Sequence, residues 1–322
     1  MEGAKKVSVI ICTYNARENL KECLDSLESQ DYDQKEIIIV DDASQDGTYI
    51  FLQDFKARTK IETTVIRNEK NLGVAGSRNV GIKKAKGDII AFTDADCTAD
   101  AGWISELVRG YEHQNVRAVG GSIADKPAAN IWELTDKGHD YVASKEGYVY
   151  YIQGCNMSFH AQVLRKFMFN EELKYGYEEA LLCDDIIHDG HRIYYRPQAV
   201  VYHKRRSHLG DVWRRKYLLG LSSVWYRKKQ NKFLMFKRHF VLLAALLSLP
   251  FSALHRFFSI LSVGLFLVFA LSLFRDEILF KKKTIGEILL TFPFLVFIEL
   301  AHFWGSLAGF IKFRVRETPT KK

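Results

Sequence analysis

The last quarter of the chain contains three long apolar runs, and these constrain the fold more than any other feature. They cover residues 240–254, 257–274 and 288–311 and are 15, 18 and 24 residues long. A helix needs about 20 residues to cross the hydrocarbon core of a bilayer. The second and third runs are therefore predicted to be transmembrane helices. The first run contains Pro250 and could span the membrane, re-enter it or lie at its interface.

Charge is segregated along the same chain. The net charge of +8 combines an acidic first part with a basic remainder. Residues 1–203 contain 24 Lys and Arg against 32 Asp and Glu, whereas residues 204–238 contain 12 Lys and Arg and a single acid. Residues 239–322 contain 10 Lys and Arg against 5 Asp and Glu. We therefore expect three parts: a domain over residues 1–203, a basic juxtamembrane belt over 204–238 and a membrane domain over 239–322.

The basic belt (residues 204–238) has two interpretations. Its aromatic residues among basic ones are compatible with nucleic-acid binding. Its continuity with the apolar runs favours an amphipathic segment on anionic lipid of the inner leaflet. We expect a membrane with anionic lipid as the partner and no nucleic acid. The protein is then a multi-pass protein of the cell membrane with residues 1–203 in the cytoplasm. Two ionisable residues inside the third run, Glu299 and His302, are expected to face a polar partner.

Residues 1–203 alternate short β-branched runs with helical spacing. The composition, with 48% hydrophobic and 26% charged residues, is typical of a folded protein. Five scattered cysteines without a C-x-x-C pair argue against a disulfide framework and against a zinc ribbon. Alternating strands and helices predict an α/β fold with a mixed, mostly parallel sheet. The predicted strands cover residues 7–12, 36–40, 62–66, 88–92, 117–119, 156–159, 192–195 and 199–202. After the helical spacing between the first two strands, further helices are predicted over residues 48–58, 75–86 and 101–113.

Ligands bind at the carboxyl ends of strands in such sheets. Asp94 and Asp96 end a predicted strand, where residues two apart share one face. The two carboxylates would repel each other without a cation, so they predict a Mg²⁺ or Mn²⁺ site for a diphosphate; the alternative is a solvated acidic turn. Asp41 and Asp42 end another strand, and they predict either contacts to a base or ribose or a structural turn in which Asp46 or Ser44 caps the helix that starts near Thr48. The chain contains neither a G-x-G-x-x-G motif after the first strand nor a P-loop.

Four motifs in order resemble family 2 glycosyltransferases. They are VSVIICTYN at residues 7–15, IVDDASQDGT at 39–48, NLG with SRN at 71–79, and DAD at 94–96. The resemblance covers about residues 7–203 and implies a GT-A fold, a nucleotide-sugar donor and a divalent cation. One departure is Cys12, where the family usually has proline.

The resemblance implies a role for each matching residue. Thr13, Tyr14 and Asn15 would line the nucleotide pocket, and Asp42 would contact the base with Asp41 beside it. Other implied contacts with the donor come from Arg78 near the nucleotide or phosphates, Asp94 at the ribose or metal, and Gly154 and Asn156 beside the sugar. The implied metal ligands are Asp94, Asp96 and His203, although a histidine at a strand end is more often structural.

The resemblance also points to a catalytic base. Glu178 and Glu179 match the family's Glu-Asp pair, with Glu179 in place of the aspartate. Glu179 is the expected base, and Glu178, Asp184 and Asp185 are alternatives. The simpler explanation of the pair is a charged first helical turn.

These features predict an inverting glycosyltransferase that moves a sugar from a nucleotide-diphosphate sugar to a membrane-associated acceptor. The acceptor would be a lipid-linked or cell-surface glycan, and basic residues of the belt would hold its phosphate, namely Lys204, Arg205, Arg206, Arg214 and Arg215. A polyprenyl-phosphate sugar synthase is the alternative within this class. A membrane channel or transporter with a nucleotide-binding regulatory domain is the alternative from another class.

Overall fold

A computed structural model describes residues 5–138, 145–231, 237–253, 255–279 and 283–314. These residues form two compact units, each described here by itself. Unit 1 comprises the described residues up to 127 and from 145 to 205. Unit 2 comprises residues 128–138 and the described residues from 206 onward. The basic residues Lys281 and Lys282 and the C-terminal residues 315–322 lie outside the described ranges.

Unit 1 contains a mixed sheet, which in the described residues has nine strands. The strands are β1 Val7–Thr13, β2 Lys35–Asp41, β3 Thr63–Arg67, β4 Ile89–Asp94, β5 Cys97–Ala99, β6 Val116–Asp125, β7 Gly147–Val149, β8 Met157–His160 and β9 Arg192–His203. Their order is β3-β2-β1-β4-β8-β6-β9-β5, with β7 paired to β9. Strands β3, β2, β1 and β4 are parallel, and β8 joins β4 to β6 by antiparallel pairing. The predicted α/β class and mixed sheet are confirmed.

Helices cover both faces of this sheet. They are α1 Arg17–Glu28, α2 Thr48–Arg58, α3 Gly73–Lys84, α4 Trp103–Arg109, α6 Ala161–Phe167 and α7 Glu178–His188. Helix α5, Ile131–Thr135, belongs to unit 2. Alternate residues of β1 enter different cores, with Val9 and Ile11 in one and Ile10 in the other. Both faces of the strand are therefore apolar, as expected of a parallel strand covered on each side.

The later strands differ from the prediction. One strand, β9, replaces the two predicted over 192–202, and β6 is ten residues long. Between these strands the register shifts, because Gly121 pairs with Arg196 whereas Ser122 pairs with Val200. Pro197 lies in this shift, where its missing N–H does not interrupt the ladder. The short strand β5 was not predicted, since three residues carry no periodicity.

Unit 2 is helical. Its helices are α5 Ile131–Thr135, α8 Leu209–Lys229, α9 Lys237–Ser248, α10 Arg256–Leu279 and α11 Ile285–Arg314. Within the described residues, two segments are long and apolar enough to cross a membrane, Arg256–Leu279 and Ile285–Phe313. They correspond to the second and third predicted runs. The first run forms α9 followed by a 3₁₀ turn, Leu249–Ala253, which contains Pro250.

The predicted ionisable residues of the third run lie on α11 and are buried. Glu299 is 5% exposed and His302 is 6% exposed. His302 Nδ1 lies 3.2 Å from Nε2 of His239 on α9. A polar partner for a buried ionisable side chain is what an apolar environment requires.

Candidate active site

The carboxyl ends of β1, β2 and β4 meet at one edge of the sheet. In register, Thr13 lies beside Asp41, and Cys12 lies beside Asp94. Thr13 is buried, and its Oγ1 has no hydrogen-bond partner among the described residues, whereas Tyr14 is 47% exposed. Three of the predicted nucleotide-binding segments thus share one edge.

Asn15 joins two of these segments. Its backbone N–H donates to Ser44 Oγ at 2.9 Å, and its side-chain Oδ1 accepts from the N–H of Gln45 at 2.8 Å. Asn15 has a φ of 49°, a conformation that asparagine tolerates better than most residues. The loop after β1 is therefore held against the loop after β2.

Asp41 and Asp42 are both buried and bonded within the protein. Asp42 accepts hydrogen bonds from the N–H groups of Leu72 and Gly73 at 2.8 and 2.9 Å and from Asn68 Nδ2 at 2.8 Å. Asp41 Oδ2 lies 3.4 Å from Arg67 Nε. The predicted cap of α2 comes from Asp46, whose Oδ1 accepts from the N–H and the hydroxyl of Thr48 at 3.0 and 2.6 Å. Asp42 instead holds the start of α3, where unpaired N–H groups and the helix dipole favour a carboxylate.

Arg78, on α3, connects three of the predicted site segments. It is 3% exposed, and its Nη1 donates to Glu178 Oε1 at 2.7 Å. Its Nη2 donates to the Gly154 carbonyl at 3.1 Å and lies 3.5 Å from Asp94 Oδ1. Burial would lower the pKa of Arg78, but the charges of Glu178 and Asp94 raise it above the ordinary value. The guanidinium is therefore charged throughout the working pH range.

Asp94, Asp96 and His203 form a group of possible metal ligands. One donor atom from each lies within 4.8 Å of the other two. Asp94 ends β4, whereas Asp96 lies in the turn before β5, so the two do not share a strand face as predicted. The three side chains converge because β5 pairs with β9. This pairing brings His203, at the end of β9, beside the turn that contains Asp96. Two carboxylates and an imidazole suit Mg²⁺ or Mn²⁺.

The two adjacent glutamates have different surroundings. Both begin α7, as the simpler explanation of the pair predicts, but Glu178 is 4% exposed and its Oε1 accepts from Arg78. Glu179 Oε1 accepts from the hydroxyl of Tyr151 at 2.8 Å, and its Oε2 has no hydrogen-bond partner among the described residues. Burial and the Glu179 charge raise the pKa of Tyr151 well above its ordinary value, which keeps the phenol a donor. Asp184 and Asp185 lie further along α7 and are half-buried.

Asn156 is fully buried in the sheet domain. Its Nδ2 donates to the carbonyls of Ser122 and Ala199 at 2.7 and 2.8 Å, and its Oδ1 accepts from Trp103 Nε1 at 2.8 Å. The amide thereby clamps β6 to β9. Its predicted contact with the donor sugar stays a prediction.

Sequence reasoning missed three features of this region. Tyr151, which bonds Glu179, precedes the Gly154 motif by only three residues. The thiols of Cys97 and Cys155 lie next to His203. The pKa of Cys97 is raised well above its ordinary value, first by a hydrogen bond with Cys155 and second by burial of the thiol. The only signal for these residues was their position beside the recognised motifs.

Comparison with known proteins identifies the family. The model of the family described as "Glycosyl transferase family 2" matches residues 8–172, which is just over half of the chain. Glycosyltransferase AglE of Haloferax volcanii is 36% identical over 119 residues, covering 36% of this chain and 39% of that protein. The GalNAc(5)-diNAcBac-PP-undecaprenol beta-1,3-glucosyltransferase of Campylobacter jejuni is 29% identical over 200 residues, covering 59% of this chain and 64% of that protein. The match thus spans about two fifths of the length of AglE.

A solved structure gives the same assignment of fold. The mannosyltransferase PcManGT of Pyrobaculum calidifontis, in complex with GDP-Man and Mn²⁺, superposes with a TM-score of 0.60 at 18% identity. The superposition covers 97% of this chain and 88% of that one. At this identity the likeness establishes the fold alone. The chain belongs to glycosyl transferase family 2 and has a GT-A-type fold.

Proposed function

We propose that the protein is an inverting glycosyltransferase that moves a sugar from a nucleotide-diphosphate sugar to a lipid-linked glycan at the membrane. The single observation that carries this proposal is the contact network of Arg78. This buried cation contacts Asp94, at the possible metal group, and Glu178, which is next to the candidate base. One rigid group thus links the residues that would bind the donor to those that would activate the acceptor.

The donor would bind at the ends of β1, β2 and β4. The exposed ring of Tyr14 is available to a nucleotide at this edge, and the buried hydroxyl of Thr13 has no hydrogen-bond partner among the described residues. Asp94, Asp96 and His203 would hold Mg²⁺ or Mn²⁺, because their donor atoms lie within 4.8 Å of one another. Such a cation neutralises the charge that develops on the departing nucleoside diphosphate.

Glu179 is the proposed base. The acceptor hydroxyl loses its proton to Glu179 Oε2 while its oxygen forms the bond to the sugar's anomeric carbon. The bond from that carbon to the diphosphate breaks with its electron pair on the diphosphate, so the configuration inverts. Glu178 is less suited to this role because a buried guanidinium occupies its Oε1 at 2.7 Å. Tyr151 would orient the Glu179 carboxylate through its 2.8 Å hydrogen bond.

A lipid-linked acceptor is supported by the membrane-compatible helices of unit 2 and by the printed name of the Campylobacter jejuni relative, which includes undecaprenol diphosphate. A hydroxyl acceptor needs a base, whereas a polyprenyl phosphate is already ionised. The carboxylate oxygen of Glu179 therefore favours a glycan hydroxyl over the synthase alternative. The proposed location is the cell membrane, with the catalytic domain on the cytoplasmic side.

The test is a donor panel on the full chain in detergent. UDP- and GDP-sugars are supplied with membrane lipid extract and with Mn²⁺, Mg²⁺ or a chelator, and released nucleoside diphosphate is measured. We expect metal-dependent release with one donor class. Asp96→Ala should abolish release without changing the thermal unfolding midpoint, while the exposed control Asp33→Asn keeps both. Absence of release with every donor and extract would favour the channel or transporter alternative.

A further inference from the structure

Two thiols lie directly beside the proposed cation site, and the proposed reaction uses neither. Cys97 begins β5 and pairs in register with His203, the last residue of β9. Cys155 lies in the loop before β8. The three side chains are buried, with exposed fractions between 1% and 8%. Their sulfur atoms and a ring nitrogen of His203 all lie within 4.8 Å of one another.

Asp96 provides a fourth donor atom to this cluster. Its Oδ1 lies 3.8 Å from Cys97 Sγ and 3.6 Å from His203 Nε2. Tetrahedral coordination at about 2.3 Å for sulfur and about 2.0–2.2 Å for nitrogen or oxygen places ligand atoms roughly 3.3–3.8 Å apart. Both separations of Asp96 Oδ1 fall in this range. Side-chain movement that brings the thiols and the imidazole, now within 4.8 Å of one another, to the same spacing would place the four atoms around one ion.

We propose that Cys97, Cys155, His203 and Asp96 form a second metal site for a thiophilic divalent ion, Zn²⁺ or Cd²⁺, whose binding inhibits the transferase. Two sulfurs, one nitrogen and one oxygen make a donor set that selects such ions over Mg²⁺ and Mn²⁺, which prefer oxygen. As each sulfur–metal bond forms, the thiol proton is released to solvent. No oxidant or reductant is involved.

Inhibition follows because the two sites share ligands. His203 belongs both to the group with the two thiols and to the group with Asp94 and Asp96, and Asp96 Oδ1 lies 3.8 Å from Cys97 Sγ. A carboxylate and an imidazole that are turned toward a thiol-bound ion cannot complete the oxygen-rich site at the same time. Occupation by a thiophilic ion and by Mn²⁺ should therefore be mutually exclusive. This inhibitory effect rests on the proposed function, whereas binding of the ion to the thiols does not.

The binding test needs no turnover. Cd²⁺ is titrated into the metal-free full chain in detergent with a phosphine reductant, and the ultraviolet thiolate-to-cadmium charge-transfer absorption is recorded. We expect the absorption to saturate at about one ion per chain, because the proposed site holds one ion. Cys97→Ala and Cys155→Ala should lose the band. Cys183→Ala, which removes a buried thiol on α7 outside the cluster, should keep it.

Each variant is checked for folding by its thermal unfolding midpoint, and Cys155→Ser replaces Cys155→Ala if the latter does not fold. A wild-type protein without the band would overturn the proposal. A band of wild-type size in both Cys97→Ala and Cys155→Ala would also overturn it.

The inhibition test uses turnover with Mn²⁺. The Zn²⁺ concentration for half-inhibition should rise with the Mn²⁺ concentration in the wild type. In Cys155→Ala it should be at least about tenfold higher, the smallest loss typical of a damaged metal site. Equal sensitivity of the wild type and Cys155→Ala would overturn the inhibitory role. If no donor is turned over at all, the proposed function fails while the cadmium result still decides the site.

Discussion

At the scale of single residues, two consecutive glutamates illustrate how burial separates roles. Glu178 forms an ion pair with the buried guanidinium of Arg78, so its charge is neutralised inside the protein. Glu179 makes one neutral hydrogen bond and keeps its second oxygen without a partner in the described part of the chain. A buried ion pair is costly to break because the remaining charge is left unpaired. We therefore expect substitution of Glu178 to affect stability and substitution of Glu179 to affect turnover.

Glu179→Gln should lower kcat about 10²–10⁴-fold, the range typical of a lost general base. The amide oxygen can still accept from Tyr151, so donor KM and the unfolding midpoint should change little. Steady-state release of nucleoside diphosphate measures both constants. Asp184→Asn and Asp185→Asn are the discriminating variants. If either of them loses turnover while Glu179→Gln keeps it, the base lies further along α7.

Glu178→Gln should destabilise the protein by about 3 kcal/mol, the lower end of the cost of breaking a buried ion pair. The Gln oxygen can still accept from Arg78, but the nearest remaining countercharge is Asp94, 3.5 Å from Nη2. Thermal unfolding of the full chain in detergent measures the change, with Glu179→Gln as the matched control one residue away. A midpoint equal to the control would show that the ion pair contributes no net stability.

At the scale of elements, the turn that leads into α3 is shaped by one carboxylate and one glycine. Asp42 accepts the N–H groups of Leu72 and Gly73. Gly73 has a φ of 77°, and a Cβ placed there would lie 3.1 Å from the Cβ of Lys174. Since Arg78 is on the same helix, the position of the helix start sets the position of the guanidinium.

Gly73→Ala should cost about 1–2 kcal/mol from backbone strain alone, with a further loss from the close approach to Lys174. Gly190→Ala is the matched control, because Gly190 has a φ of 81° with no atom within 4 Å of the added Cβ. We expect a lower unfolding midpoint for Gly73→Ala than for the control, together with weaker donor binding by equilibrium dialysis. Equal midpoints would indicate that Lys174 moves aside freely.

At the scale of the whole molecule, an acidic unit and a basic, apolar unit occupy one chain. Helix α8 of unit 2 carries basic residues of the belt, and Arg214 on it is exposed. Exposed cations beside membrane-compatible helices attract anionic headgroups and phosphates. The net charge of the chain is therefore the sum of an acidic part and a basic part, which attract ligands of opposite charge.

Arg214→Glu combined with Arg215→Glu should lower transfer to a phosphate-bearing lipid acceptor in membranes. Each lost cation weakens attraction to an anionic surface by about 1 kcal/mol. Donor hydrolysis in detergent should stay near the wild-type rate. The control reverses two exposed lysines of unit 1, Lys56→Glu and Lys60→Glu. Unchanged membrane turnover in the Arg214/Arg215 variant would remove the belt from acceptor binding.

Local patterns were sufficient to predict much of this protein. The β-branched runs predicted β1, β2 and β4, because both faces of these strands are apolar, and the strand ends indicated Thr13, Asp41 and Asp94. The apolar runs predicted the two helices that are long enough to cross a membrane, since length and composition alone decide that property.

Contacts between residues distant in sequence were decided only by the tertiary structure. Arg78 and Glu178 are 100 residues apart, so no local pattern could show that one neutralises the other. The convergence of Asp96, Cys97, Cys155 and His203 depends on β5, a three-residue strand that forms only because it pairs with β9. Residue types and their order are written in the sequence. Which carboxylate is buried against a guanidinium, and which thiols lie beside a group of possible metal ligands, depends on the long-range strand pairing that folding creates.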